Sequence, residues 1–101
     1  MATVLELAHV IVEPSRWKII KSLIKDPKYI SQIASSTESE RATVSYHLGV
    51  LEKYGLVSSE YKILNKPQSK GTAARVYHIN IDTLLSALDE VEKILPEIRP
   101  K

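Results

Sequence analysis

Arg41, Thr43, Ser45 and Tyr46 lie in one short stretch of the chain. A guanidinium, two aliphatic hydroxyls and a phenol so close together can hydrogen-bond base edges or phosphate oxygens. Ala42 sits among them and Gly49 follows, and small residues let a backbone come close to a ligand. His47 and Lys53 complete the polar set. Downstream, Lys62, Lys66, Lys70 and Arg75 occur between residues 62 and 81 with no acid, a local charge of +4. Residues 1–61 are balanced, with seven acids and seven bases, and residues 82–101 carry −2, so the whole chain is only +2. One cationic segment in a balanced protein suits contact with a polyanion.

Other chemistries find little support. The chain has no cysteine, which excludes disulfides, thiolate metal sites and cysteine nucleophiles. His9, His47 and His78 fall in three different predicted elements, with no His-x-x-x-His spacing, so no metal site is expected. No nucleophile–base pair or glycine-rich phosphate loop is evident. Asp82, Asp89, Glu90 and Glu92 read as a solvated helix face, not as a catalytic pair. Neither an enzymatic activity nor a cofactor is expected. The N-terminal stretch MATVLELAHVIVEPSR has no early basic cluster and carries Glu6 inside its apolar run. It suits neither a signal peptide nor a membrane span, so a cytoplasmic protein without a membrane partner is expected.

These residues need elements to hold them. With 101 residues, 44% hydrophobic and 26% charged, the chain reads as one globular domain over 1–101. Thr3 with Glu6 three residues later forms a capping box that opens a first, largely buried helix reaching Val12. Pro14 starts a second helix, with Trp17, Ile20, Leu23 and Ile24 expected inside and Lys18, Lys21 and Lys25 outside. Asp26-Pro27 ends it. Ser31 is expected to cap a short third helix containing Ile33 and Ala34. A polar turn leads to a fourth helix, about 41–54, which Gly55 stops.

At about 100° per residue, Val44, Leu48 and Leu51 make the inward stripe of that fourth helix. Ala42, Ser45, Tyr46, Gly49 and Lys53 then face outward, with Thr43 and His47 on a flank. Residues 56–64 and 75–79 read as strands around a loop containing Pro67 and Gly71. Tyr29, Tyr54, Tyr61 and Tyr77 are expected to pack in the hairpin and core. Asp82 is expected to cap a last helix carrying Leu84, Leu88, Val91 and Leu95 at a coiled-coil-like spacing. Leu85 and Ile94 widen its apolar stripe beyond one packing face, so part of it is expected to meet a partner.

The predicted class is therefore α+β. It is a mainly helical winged helix-turn-helix with a two-stranded β-hairpin wing and a C-terminal dimerisation helix. The helix-turn-helix spans about 31–54 and the wing about 56–80. Lys66 and Lys70 at the wing tip, with Arg75, His47 and Lys53, are expected to meet phosphates. Arg41, Ala42, Thr43, Ser45 and Tyr46 are expected nearest the bases.

Residues 14–80 resemble the winged helix-turn-helix of ArsR-type regulators of bacteria and archaea. The carrying stretches are EPSRWKIIKSLI, ISQIASS, RATVSYHLGVLEKYGLV and GTAARVYHIN. The resemblance implies a homodimer on double-stranded operator DNA, joined through its first and last helices. Leu5, Ala8, His9 and Val12 are then interface candidates, with Leu84, Leu88, Val91 and Leu95. The apolar excess of the first helix leaves room for an unidentified small-molecule effector between the dimer helices.

Three departures from the family pattern stand out. Glu38 replaces a glycine common in the turn. Gly49 and Tyr46 replace residues often basic. The cysteine and histidine sets of the family's metal sensors are absent. The expected function is sequence-specific transcription regulation. The alternatives are a winged-helix protein-interaction module and a non-specific architectural chromatin protein.

Overall fold

Pro14 divides the N-terminal part of the chain into two helices, α1 (Val4–Val12) and α2 (Pro14–Lys25). The computed structural model describes residues 3–63 and 73–94. Thr3 opens α1 as its sequence predicts, its Oγ1 accepting the Glu6 N–H at 3.1 Å. Glu13 caps α2 by accepting from the Ser15 and Arg16 backbone N–H groups at 3.1 and 2.9 Å. Desolvation pushes the Glu13 carboxyl up, but these two N–H donors, with the nearby His47 and Arg16, hold it below the usual carboxylate range.

Two expectations for these helices need correction. Only Val10 and Ile11 of α1 are buried, whereas Leu5 and Val12 are 68% and 67% exposed. The helix packs one side on α2 and the C-terminal helix and leaves the rest outward. In α2 the core positions are Ile19, Ile20 and Leu23, while Trp17 and Ile24 are exposed. The inward stripe is rotated because two polar residues occupy it. Arg16 is buried with its Nε on the Val10 carbonyl. Ser22 is buried with its hydroxyl 2.8 Å from that of Ser36.

A two-residue strand, β1 (Lys28–Tyr29), precedes α3 (Ile30–Thr37). The cap of the short helix is Tyr29 and not Ser31. The Tyr29 N–H donates to Gln32 Oε1 at 2.8 Å, and Ser31 lies exposed in the first turn. Next come α4 (Arg41–Lys53), the hairpin strands β2 (Val57–Ile63) and β3 (Ala73–Ile79), and α5 (Ile81–Lys93). The wing is thus joined by a third strand, in the order β1-β3-β2, all antiparallel. β1 was too short to show a period in the sequence. Its pairing makes β3 central, so the consecutive Val76 and Tyr77 are both buried. Tyr61, expected to pack, is 70% exposed on the edge strand β2.

Asn80, not Asp82, precedes α5. Its side-chain amide donates to the Gly55 carbonyl at 2.8 Å, tying the start of α5 to the end of α4. Asp82 falls in the first turn, where a carboxylate favours the helix dipole. The core gathers Ile11, Ile20, Ile33, Val44, Leu48, Leu51 and Leu56, each at most 1% exposed, at the junction of α1–α4 and the sheet. No described helix is long and apolar enough to cross a membrane.

The two helices of the helix-turn-helix end in the same way. Leu56 N–H bonds to Leu51 O at 3.0 Å and Gly55 N–H to Glu52 O at 3.0 Å. Ser39 N–H bonds to Ala34 O at 2.9 Å and Glu38 N–H to Ser35 O at 3.3 Å. Both are Schellman motifs, which need a left-handed residue after the helix. Gly55 supplies it at φ +74, but at the turn Glu38 sits at φ 53. A Cβ there costs about 1–2 kcal/mol, part of which is regained because glycine loses more freedom on folding. Glu38→Gly should therefore stabilise the fold by roughly 0.5–1 kcal/mol, a rise of several degrees in melting temperature. A lower melting temperature would show that the turn does not store this strain.

Candidate nucleic-acid interface

Helix α4 presents two chemically distinct sides. Val44, Leu48 and Leu51 are at most 1% exposed and fasten it to α2 and α3. Arg41, Ala42, Thr43, Ser45, Tyr46, Gly49 and Lys53 are all exposed. Tyr46 is 65% exposed, unusually open for an aromatic side chain. A Cβ built on Gly49 would meet nothing within 4 Å. No neighbouring helix among the described residues therefore requires a glycine there. Lys53 lies 5.8 Å over the Tyr54 ring, its charge outward.

His47 departs from this outward set. Its side chain is only 12% exposed and turns back towards the start of α2. Its Nδ1 lies 3.4 Å from an Arg16 terminal nitrogen and 3.9 Å from Glu13 Oε2. It also stands edge-on to the Tyr46 ring at 5.2 Å. Periodicity placed His47 on a flank but gave no hint of Arg16 beneath it.

Arg75 projects from β3 towards α4, where its guanidinium is 3.0 Å from Glu52 Oε2. Its Nε donates to Ser59 Oγ at 2.7 Å, and the group lies over the rings of Tyr77 and Tyr61 at 5.2 and 6.0 Å. The arginine is thus pre-positioned, with its charge shared by a carboxylate. Lys66 and Lys70 lie outside the described residues.

A groove of about 450 Å³ connects these parts, lined by Tyr29, Ile30, Ser31, Arg41, Ala73, Ala74, Arg75 and Tyr77. The first turn of α3 opens into it with N–H groups that no helical turn satisfies. Two arginines from separate elements and a helix N-terminus share one concavity, an arrangement suited to phosphate oxygens. Sequence reading missed Tyr29, Ile30 and Ser31 as members, because only the β1–β3 pairing brings them beside Arg75. A larger groove, about 590 Å³, lies away from α4 between α2 and the end of α3. Its lysines, Lys18, Lys21, Lys25 and Lys28, are interrupted by Asp26 and Glu38.

The dimer candidates divide. Leu5, His9, Val12 and Leu88 are exposed, and Ala8 and Val91 half-buried. Leu84 is 3% exposed and belongs to the chain's own core, with Ala87. Its expected place at an interface is therefore corrected. Of the wide apolar stripe of α5, Leu84 and Ala87 turn inward, and Ile81, Leu85 and Leu88 stay exposed. Leu95 lies outside the described residues. Among the described residues no three His, Asp or Glu side chains converge as a metal site would require.

Residues 13–59 match the family described as bacterial regulatory protein, arsR family. No curated protein matches the chain. Several solved structures share its fold. One is the crystal structure of a possible transcriptional regulatory protein (fragment 1–100) from Mycobacterium bovis. It is 25% identical, with a TM-score of 0.65 and 89% of each chain covered. A solution structure from the same organism is described as a homodimeric winged helix-turn-helix DNA-binding domain of a possible ArsR-family transcriptional regulator. It is 22% identical with a TM-score of 0.66, over 97% of this chain and 85% of that one. A transcriptional regulator homologue from Pyrococcus horikoshii is 20% identical with a TM-score of 0.67, over 96% and 94%.

Proposed function

We propose, from the premise that this chain carries the arsR-family helix-turn-helix within a winged fold, that it is a homodimeric, sequence-specific DNA-binding regulator of transcription. The observation that carries this is the open face of α4, polar, small-residued and unobstructed by any described part of the chain. The major groove admits one helix, and two such helices in a dimer enter grooves about 34 Å apart. Arg41, Thr43, Ser45 and Tyr46 are positioned to read bases, with Ala42 and Gly49 permitting close approach. Lys53, Arg75 and the wing lysines Lys66 and Lys70 meet phosphates. The first turn of α3 joins them. The protein acts in the cytoplasm as a binding protein, not as an enzyme.

Selection of bound fragments from genomic DNA by the purified protein tests this reading. The expected outcome is enrichment of a two-fold-related motif with half-sites one helical turn apart. Binding without enrichment would indicate an architectural coater. No binding even at low salt would indicate a module for protein contact.

Salt dependence tests the phosphate assignments. Each neutralised phosphate contributes about 0.9 to the slope of log affinity against log salt. Lys66→Ala combined with Lys70→Ala should weaken binding to all sequences and reduce the slope by about 2. Glu52→Gln should act oppositely. Freed of its carboxylate, Arg75 should add up to about 1 to the slope and strengthen non-specific binding. Anisotropy titrations across a salt series measure both, and an unchanged slope in either would remove that group from the interface.

A further inference from the structure

Helix α1 ends under an unusual constraint. The carbonyl of Val10 would ordinarily accept the N–H four residues on, but that residue is Pro14, which has none. Arg16 replaces the missing donor, its Nε bonding Val10 O at 2.7 Å. The side chain is nearly buried, and the opposite edge of its guanidinium points into α4, 3.4 Å from His47 Nδ1. Glu13, at 4.0 Å from that edge, balances the charge while capping α2. One rigid, planar group therefore touches the end of α1, the start of α2 and the middle of α4. No buried side-chain nitrogen or oxygen among the described residues lacks a partner, so this polar cluster is fully satisfied. Satisfied buried networks favour one arrangement of the elements they join over its near neighbours.

We infer that Arg16 is a positioning residue. Through Val10 and His47 it fixes the angle between α1 and the DNA-facing helix α4, and so sets the half-site spacing that a dimer accepts. This inference rests on the proposed function, in which α1 lies at the dimer interface and α4 reads DNA. His47 then acts through Arg16 and not by touching phosphate. Tyr46, in edge-on contact with the His47 ring, inherits its placement.

The test uses the full chain and the selected operator, with its half-site separation changed in single-base-pair steps. The wild type should prefer one separation sharply. Arg16→Met keeps the buried aliphatic stem but loses every donor. It should lower the discrimination between adjacent spacings about fivefold or more, with the same preferred half-site sequence. Arg16→Lys keeps the charge and one donor for Val10 but cannot bridge to His47. It should fold and still show the flattened profile. A wild-type spacing profile in Arg16→Lys overturns the inference, as does uniform weakening at every spacing in Arg16→Met.

A readout on the unaltered protein does not depend on variants folding. In the neutral imidazole, nitrogen NMR should find the His47 proton on Nε2, leaving Nδ1 to accept from Arg16. A neutral ring carrying its proton on Nδ1 would mean that the bridge to Arg16 does not exist. Failure of the wild type to bind any paired site would instead refute the proposed function.

Discussion

Replacing Leu5 and Leu88 together by glutamate should give a folded monomer that has lost most of its affinity for a paired operator. Both side chains are exposed in the single chain, Leu5 at 68% and Leu88 at 37%, so neither change empties the core. Glutamate near the start of α1 even suits the positive end of that helix. In a two-fold dimer the same patch meets itself, so each substitution is felt twice. Four carboxylates would have to be desolvated without partners, at several kcal/mol each. The dissociation constant of the dimer should rise at least about 100-fold, seen by sedimentation. Two linked half-sites gain about 10²–10⁴ over one, and that gain should vanish. Binding to a single half-site should remain. An unaltered dimer would place the interface elsewhere than on α1 and α5.

That experiment relies on residues the sequence placed only in part. Local signals were legible. Thr3 and Glu6 marked the start of α1, Pro14 that of α2, and Gly55 the end of α4, because caps and breakers act within a turn of themselves. The phase of α4 was also legible, since Val44, Leu48 and Leu51 form a narrow stripe with polar residues opposite. The absence of glycine at Glu38 was visible too, and the structure shows its consequence, a left-handed glutamate.

What escaped is tertiary. Trp17 and Ile24 looked more buried than Arg16 and Ser22, since hydropathy cannot foresee a carbonyl left without a donor or a serine pair between two helices. Leu84 and Leu85 are equally apolar, and only the packing of α1 on α5 decides that the first is inside. β1 has two residues and no period. Its pairing with β3 brings Ser31 beside Arg75, so the groove that holds Arg41 and Arg75 was half invisible.

Gly49→Gln separates fold from function most cleanly. Glycine within a helix costs roughly 0.8–1 kcal/mol relative to a good helix former, and glutamine is one. Because nothing lies within 4 Å of the missing Cβ, the new side chain meets no obstacle in the free protein. The variant should therefore melt several degrees higher. On DNA the sign reverses. Gly49 lies one turn along α4 from Ser45 and Tyr46, on the face proposed to enter the groove. A long side chain there would hold the helix backbone away from the base edges. Losing the equivalent of one base contact costs about 1–3 kcal/mol, so operator affinity should fall about 10- to 100-fold. Non-specific binding, governed by phosphates, should fall much less. Higher stability with weaker specific binding requires that the space beside Gly49 belong to DNA. Higher stability with unchanged binding would mean that the middle of α4 stays clear of the groove, and the assignment of Ser45 and Tyr46 as base readers would fall with it.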